Sequence, residues 1–195
     1  MVIREQRFTR EDLSALYDQP ENAEKRFELL DGEIIEVPPA SPLHNWIVTR
    51  LVLFLTNFVE PRQMGFVFSD GVSYTLPNGD VLIPDVSFVS KARQGWPLPD
   101  AFQFAPDLAV EVASPSNWER QLLGKAESYL ESGAKIVWIV YPDRQVAYIC
   151  RRSDDGSLNL HKVDAAGALD GGGLLPGFTL PLRDLFPPQP PQEEA

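Results

Sequence analysis

Cysteine and histidine are scarce in this sequence of 195 residues, which contains one cysteine, Cys150, and two histidines, His44 and His161. A single cysteine cannot form an intramolecular disulfide, so no disulfide framework is expected. The two histidines lie far apart along the chain, which disfavours a zinc site. Long apolar runs are also missing, because no segment approaches the ~20 apolar residues of a membrane-spanning helix. These absences favour a cytoplasmic protein that makes no contact with a membrane.

Basic residues are in deficit, with 17 Lys and Arg against 28 Asp and Glu and a net charge of −11. Proteins that coat nucleic acid nonspecifically bind mainly through Lys and Arg, which neutralise phosphates, so this class is disfavoured. A nuclease is not excluded, because a metal site needs carboxylates and basic residues can gather locally. Three local basic pairs are present, although each is more typical of a solvated surface: Lys91 with Arg93, Arg120 with Lys125, and Arg151 with Arg152.

The length and composition predict one globular domain. A chain of this size can bury a substantial core but is too short to expect two domains. Its 44% hydrophobic and 23% charged residues are typical of an ordinary globular protein. We assign residues 1–186 to the domain, and residues 187–195, "PPQPPQEEA", to a flexible Pro-rich acidic tail.

Two segments predict the principal helices. Between residues 41 and 59 the apolar positions recur at helical spacing on a broad face, which predicts the longest helix. Residues 116–132 predict the second, with a capping box that begins at Ser116. A shorter helix is predicted between Thr9 and Pro20.

Strand signals fill much of the remaining sequence. Asp31-Gly32 predicts a tight hairpin, and Asp70-Gly71 with Asn78-Gly79 predicts an antiparallel meander over residues 65–89. "IVWIV" at 136–140 is apolar on both faces and predicts a central strand covered on both sides. The other segments are a strand at 107–113, a hairpin partner at 145–151, an edge strand at 153–164, and a capping loop with a short turn at 168–186. Together these elements predict an α/β (α+β) domain in which a mixed central sheet carries two principal helices and β-hairpin additions.

Two acids interrupt apolar strands. Glu111 lies between Val110 and Val112, where an unpartnered carboxylate would be costly to bury. The strand period of two places Glu111 beside small alanines, which leave room for an approaching group. Asp85 in "LIPDVSF" has similar apolar neighbours and follows Pro84, which implies an irregular or edge backbone. The two strands could present both carboxylates to one cleft.

Lys125 is the third member of this candidate site. It falls on the border of the apolar face of the second helix, where its stem can pack while its ammonium reaches towards the carboxylates. A converging Asp, Glu and Lys suit phosphodiester hydrolysis, because Mg²⁺ or Mn²⁺ needs only one or two carboxylates and keeps positions for water and substrate. The metal lowers the pKa of bound water, and a lysine orients that water or balances developing charge.

The order of several short motifs resembles one known family. "PDVSFV", "LAVEVASPS", the helical Lys125 followed by Tyr129 and Gly133, and "VWIVYP" are similar to the Uma-two family of bacterial restriction endonucleases in the PD-(D/E)xK superfamily. "FELLDGE" and the helix near His44 extend the resemblance over roughly residues 8 to 150. It implies a restriction endonuclease-like fold and a Mg²⁺-dependent enzyme that cleaves DNA.

The resemblance also implies roles for individual residues. Asp85 and Glu111 would be the metal-binding acids, and the backbone carbonyl of Val112 a further ligand. Glu28 in "FELLDGE" would complete the metal site from an earlier element. Ala113 stands where the superfamily usually has its lysine, so Lys125 would be the migrated replacement.

Structural explanations exist for each candidate residue. Asp85 could cap a turn after Pro84, and Glu111 could form an ion pair with Lys125 or Arg120. Glu28 could be a solvated acid at a strand start. His44 is assigned to capping or packing at its helix start and His161 to the surface, not to catalysis.

Two functions therefore stay open at this level. The first is a Mg²⁺-dependent DNA endonuclease in which Asp85, Glu111 and Lys125 are catalytic, with DNA as its partner and a homodimer left open. The second is a catalytically silent binding or structural module that keeps the nuclease fold. Metal binding discriminates between them.

Overall fold

The computed structural model describes residues 7–114 and 119–188. Its α-helices are α1 Arg10–Tyr17, α2 Pro42–Val59 and α3 Glu119–Glu131. Its strands are β1 Arg26–Leu30, β2 Glu33–Val37, β3 Gly65–Ser69, β4 Tyr74–Thr75, β5 Val81–Leu82, β6 Val86–Ser90, β7 Leu108–Val112, β8 Ile136–Tyr141, β9 Val146–Arg152, β10 Leu158–Val163, β11 Ala168–Asp170 and β12 Thr179–Pro181. Short 3-10 helices span Pro20–Asn22, Pro142–Arg144 and Leu182–Leu185.

A mixed six-stranded sheet forms the centre of the fold, in the order β10-β9-β8-β7-β6-β3. β7 and β8 are parallel and are connected through α3, whereas the other neighbours pair antiparallel. Residues 136–140 of β8 are all buried, which confirms the central strand expected from "IVWIV". The crossover places α3 next to β7, so the helix that carries Lys125 packs over the strand that carries Glu111.

The side-chain alternation of β7 divides the core between the two faces of this sheet. Leu108, Val110 and Val112 pack with α2 on one face. Ala109 lies on the other face, among the buried residues of α3. This confirms the predicted facing of β7 and explains why Glu111, which shares a face with Ala109, points towards α3.

A smaller sheet in the order β2-β1-β5-β4 covers one end of α3. The predicted hairpin at Asp31-Gly32 is confirmed, since β1 and β2 pair antiparallel on either side of it. Asp31 and Gly32 both have positive φ, at 48° and 79°, as expected for the favoured two-residue hairpin turn. The shorter helix expected between Thr9 and Pro20 is also confirmed, as α1, and Thr9 and Asp12 form a capping box at its start. This sheet brings Glu28 on β1 towards α3.

The expected meander over residues 65–89 is wrong in its pairing. The Asn78-Gly79 turn does connect the antiparallel strands β4 and β5. However, β3 pairs with β6, with Gly65 opposite Ser90, and not with β4. The chain after Asp70-Gly71 leaves the central sheet because Tyr74 is fully buried on one of its faces. There the Tyr74 ring stacks on Phe102 at 5.1 Å, and its hydroxyl contacts Ser87 at 2.7 Å.

The C-terminal segment is more than the capping loop expected from its glycines. β11 and β12 form a two-stranded sheet, and Leu182–Leu185 follows as a 3-10 helix. Phe178 stacks against Trp138 of β8 at 5.9 Å. The apolar residues of this C-terminal segment recur with neither a helix nor a strand period. They complete the core under α2: Leu169, Leu175, Phe178, Leu180, Leu182 and Leu185.

Two predictions fall partly outside the described residues. Ser116 of the expected capping box lies in the gap 115–118, so the start of the second helix is described only from Glu119. Most of the Pro-rich tail, residues 189–195, also lies outside them. Within the parts of the chain that the structure describes, no helix combines the length and hydrophobicity needed to cross a membrane.

Candidate active site

Glu111 lies at the base of the candidate site, on β7, and is only 2% exposed. Its Oε2 accepts a hydrogen bond of 3.1 Å from Lys125 Nζ, and its Oε1 accepts one of 3.1 Å from the Tyr129 hydroxyl. Tyr129 is one helical turn beyond Lys125 on α3, so both donors reach the same carboxylate. The carboxylate is therefore partnered on both oxygens, which offsets part of the cost of its burial.

Lys125 is more deeply placed than its position on the helix predicted. It was expected on the border of the apolar face but is only 8% exposed. The reason is the small sheet, which the helical periodicity could not reveal: its strand β1 packs against α3, with Leu30 near Gly124 and Glu28 against the lysine. The ammonium lies 2.6 Å from Glu28 Oε2 and 3.1 Å from Glu111 Oε2, so one lysine bridges two glutamates.

Glu28 on β1 is buried as well, at 2% exposed, and is not the solvated strand-start acid that was considered. Its Oε1 accepts a 2.7 Å hydrogen bond from the backbone N–H of Ile83. That bond fixes the carboxylate while its second oxygen faces Lys125. The structure thus places Glu28 in one cluster with Glu111 and Lys125.

Asp85 lies just before β6, and its side chain is 17% exposed. Its Oδ2 accepts a 2.7 Å hydrogen bond from the backbone N–H of Val112, at the end of β7. Its Oδ1 lies 3.2 Å from His44 Nε2. Asp85 therefore reaches across to the end of the neighbouring strand, beside the residue that follows Glu111.

His44 joins the site in a way that the sequence did not indicate. Its backbone N–H donates to Ser41 Oγ at 3.2 Å, which confirms a place in the first turn of α2. Its ring is 8% exposed and contacts Asp85, while Nδ1 has no hydrogen-bond partner among the described residues. The only sequence signal was its helix-start position, because Asp85 belongs to a distant strand.

Burial and neighbouring charges shift the acid–base properties of the cluster. Burial, reinforced by the charges of Glu28 and Asp85, raises the pKa of Glu111 to about 8, although the Lys125 ammonium opposes this. Burial lowers the pKa of Lys125, but the two glutamates outweigh it and raise that pKa above its usual value. Lys125 consequently stays protonated at neutral pH and cannot serve as a base there.

The pKa of His44 is also raised, because neighbouring groups outweigh the effect of burial. Burial lowers it, but the hydrogen bond and charge of Asp85, the charge of Asp70 and the Val112 carbonyl together favour the charged ring. The imidazole therefore lies beside both Asp85 and the Val112 backbone. These contacts hold the Asp85 carboxylate between a ring nitrogen and a backbone N–H.

A cleft of about 250 Å³ opens onto this cluster. Its lining includes residues 35–40, from β2 and the loop that follows it, and Gln121 and Leu122 of α3. Arg26 and Asp70 also line the cleft and form an ion pair with each other. The buried carboxylates can thus be reached from one side.

The mixed sheet with its βαβ crossover and this cluster of acids and a lysine define a restriction endonuclease-like domain. A family model matches residues 10–183, and its description is "Putative restriction endonuclease" of the Uma2 family. Because this match covers most of the sequence, the chain belongs to the Uma2 family, as the motif order predicted.

The fold is similar to that of a solved crystal structure. The crystal structure of a "putative nuclease belonging to DUF820" from Anabaena variabilis ATCC 29413 aligns with a TM-score of 0.79. The alignment covers 92% of this chain and 97% of that chain at 21% sequence identity, which shows a shared fold. Comparison with curated proteins gave no match.

Proposed function

We propose that this protein is a nuclease that hydrolyses phosphodiester bonds in DNA with Mg²⁺ or Mn²⁺ as its cofactor. The observation that carries the proposal is the convergence of Glu28, Glu111 and Lys125, next to Asp85, at the base of one cleft. The family description and the nuclease named for the similar structure support a nucleic-acid substrate.

The donor set of the cleft fits a hard divalent cation. Within the described residues no three His, Cys, Asp or Glu side chains form a ready metal cluster. Mg²⁺ needs fewer protein ligands, because water and phosphate oxygens complete its shell. Asp85, Glu111 and the Val112 carbonyl would hold the ion, and Glu28 would complete the site. When bound, the ion supplies Lewis acidity and a water of lowered pKa.

The chain's own residues prepare this site. Val112 N–H and His44 fix the two oxygens of Asp85, and Tyr129 fixes one oxygen of Glu111. Each of these oxygens keeps a free lone pair for a second partner. The protonated Lys125 supplies a fixed positive charge in a buried setting, where it can balance charge that develops on the phosphate.

A silent binding or structural module has one specific observation in its favour. Glu28, Glu111 and Lys125 already satisfy one another, and such a buried ionic network can be purely structural. In that case the acids would be tied to the lysine and would bind no metal.

Calorimetric titration of the folded protein with Mn²⁺ tests the proposal. Parent protein is compared with Asp85→Ala, Glu111→Gln and the control Glu127→Gln, an exposed acid on α3 outside the cleft. We expect the parent and control to bind alike, and the two site variants to bind at least about tenfold more weakly. Plasmid cleavage should fall by roughly 10² or more in the same two variants. A folded parent that binds no Mn²⁺ at millimolar concentration and cleaves nothing would support the silent module.

A further inference from the structure

The acids of the candidate site lie at a depth that restricts what can reach them. Glu28 and Glu111 are each 2% exposed, and the cleft above them measures about 250 Å³. Pockets that enclose a drug-sized ligand are larger, at about 300–1,000 Å³. The cleft therefore has room for a short stretch of one nucleic-acid backbone above the buried acids.

An intact duplex fits this cleft poorly. Its second strand lies across grooves only about 6 and 12 Å wide and is tied to the first by base pairs. A strand whose phosphate descends to the buried Glu28 and Glu111 must move away from a partner strand that stays outside the cleft. This opens base pairs and costs stacking free energy, a cost that is absent for a strand that is already unpaired.

The charge of the cleft adds to this restriction. Its lining contains five acids, two residues with a fixed positive charge and one imidazole: Glu28, Glu36, Asp70, Asp85 and Glu111 against Arg26, Lys125 and His44, which is held by Asp85. Both cationic residues are engaged, Arg26 by Asp70 and Lys125 by the two buried glutamates. A duplex carries a negative charge about every 1.7 Å and one strand about every 3.4 Å, so the acidic walls repel a duplex more strongly.

From these observations we infer that the cleft accepts an unpaired strand of DNA in preference to an intact duplex. This inference rests on the proposed function and specifies its substrate class. The favoured substrates are single strands and the unpaired parts of loops, flaps or frayed ends. Cleavage of duplex DNA then depends on prior strand opening.

The test uses one labelled oligonucleotide in three forms: the single strand, its perfect duplex, and the duplex with a central unpaired loop. Binding is measured by fluorescence anisotropy in EDTA, and cleavage is mapped on gels with Mn²⁺. We expect the single strand to bind and be cleaved roughly tenfold or more better than the duplex. Cuts in the looped duplex should fall within the loop.

Matched variants on β2 show whether the strand uses this cleft. Glu36 and Glu33 are both exposed, but Glu36 lines the cleft and Glu33 lines a separate groove along α3. Glu36→Lys should tighten single-strand binding by roughly tenfold, and Glu33→Lys, with the same charge change, by roughly threefold or less. Equal effects of the two substitutions would contradict entry through this cleft.

The outcomes separate this inference from the proposed function. A duplex bound and cleaved as well as the single strand, or cuts in the paired arms, would overturn the preference and leave the nuclease proposal standing. Preferential single-strand binding without any cleavage would support the preference and overturn the nuclease. Absence of both binding and cleavage would overturn both.

Discussion

Lys125 illustrates how one residue sets the electrostatics of the site. One ammonium lies within 3.1 Å of two buried glutamates, so the three groups carry a net charge of −1 when all are ionised. In a poorly solvated setting this excess of negative charge favours a protonated carboxyl group. That agrees with the raised pKa of Glu111. The lysine therefore neutralises one of the two acids and lowers the cost of holding them together.

Replacement of Lys125 by methionine should destabilise the protein and slow the proposed cleavage reaction. Met keeps the packing of the stem but leaves two buried acids facing each other, so we expect a loss of about 3 kcal/mol in unfolding free energy. Single-turnover cleavage with saturating Mn²⁺ should slow by roughly 10² or more.

A double variant separates the two effects of this substitution. Lys125→Met with Glu28→Gln removes one of the facing charges, so part of the lost stability should return while cleavage stays impaired. Urea denaturation and single-turnover rates measure the two quantities. A stable double variant that cleaves within about threefold of the parent would rule out a catalytic charge at Lys125.

The sequence could predict some of these residues and one of their contacts, the ion pair of Glu111 with Lys125. An acid inside an apolar strand is conspicuous, so Glu111 and Asp85 stood out, and helical spacing placed Lys125 on the correct side of α3. The burial of Lys125 and the contact between His44 and Asp85 depend on elements that are distant in sequence. No local pattern encodes such contacts, and their catalytic roles stay predictions.

At the scale of elements, the pairing of β3 with β6 depends on one close approach. Gly65 faces β6 so tightly that a Cβ there would lie 2.1 Å from the Val89 carbonyl oxygen and 2.8 Å from Ser90 Cα. Both are backbone atoms, which cannot move away without disturbing the ladder. The glycine at the start of β3 is thus required by the sheet.

Gly65→Ala should therefore lower the unfolding free energy by about 2 kcal/mol or more, because the methyl group overpacks the strand pair. Gly95→Ala serves as the matched control, since a Cβ at Gly95 has open space around it. Thermal and urea denaturation of the two variants measure the difference. Equal stabilities would mean that β3 can shift against β6 at little cost.

Turn chemistry predicted most elements, and non-local pairing is where prediction failed. Asp31-Gly32 and Asn78-Gly79 mark their hairpins because both dipeptides tolerate positive φ. Asp70-Gly71 gave the same signal, but the burial of Tyr74 under Phe102 takes the chain into another sheet. The β11–β12 pair has only three-residue strands among glycines and prolines, too short for a periodic pattern.

For the whole molecule, the raised pKa of Glu111 has a consequence for stability. In the folded state this carboxyl holds its proton up to about pH 8, whereas in the unfolded chain it releases it near the ordinary value of 4.5. Between these values the folded state binds more protons, so this group stabilises the fold less as pH rises. Its contribution should fall by up to about 1.4 kcal/mol per pH unit within that window.

Urea denaturation in EDTA from pH 5 to about pH 8 checks this prediction. Glu111→Gln removes the titration, so the difference in stability between parent and variant should decline steadily with pH. Glu127→Gln, which changes an exposed acid on the same helix, should track the parent. If the difference in unfolding free energy between the parent and Glu111→Gln does not change with pH, Glu111 is ionised throughout this range.

The C-terminal segment also determines when the fold can close during synthesis. Residues 169–185 complete the core under α2, and Arg50 of α2 donates a 3.1 Å hydrogen bond to the backbone carbonyl of Asp184, far along the chain. A ribosome adds roughly 5–20 residues per second, so the apolar face beneath α2 stays uncovered until residues 169–185 have emerged. During that interval the nascent chain depends on protection from aggregation, and a stop codon before Leu169 would make the exposure permanent.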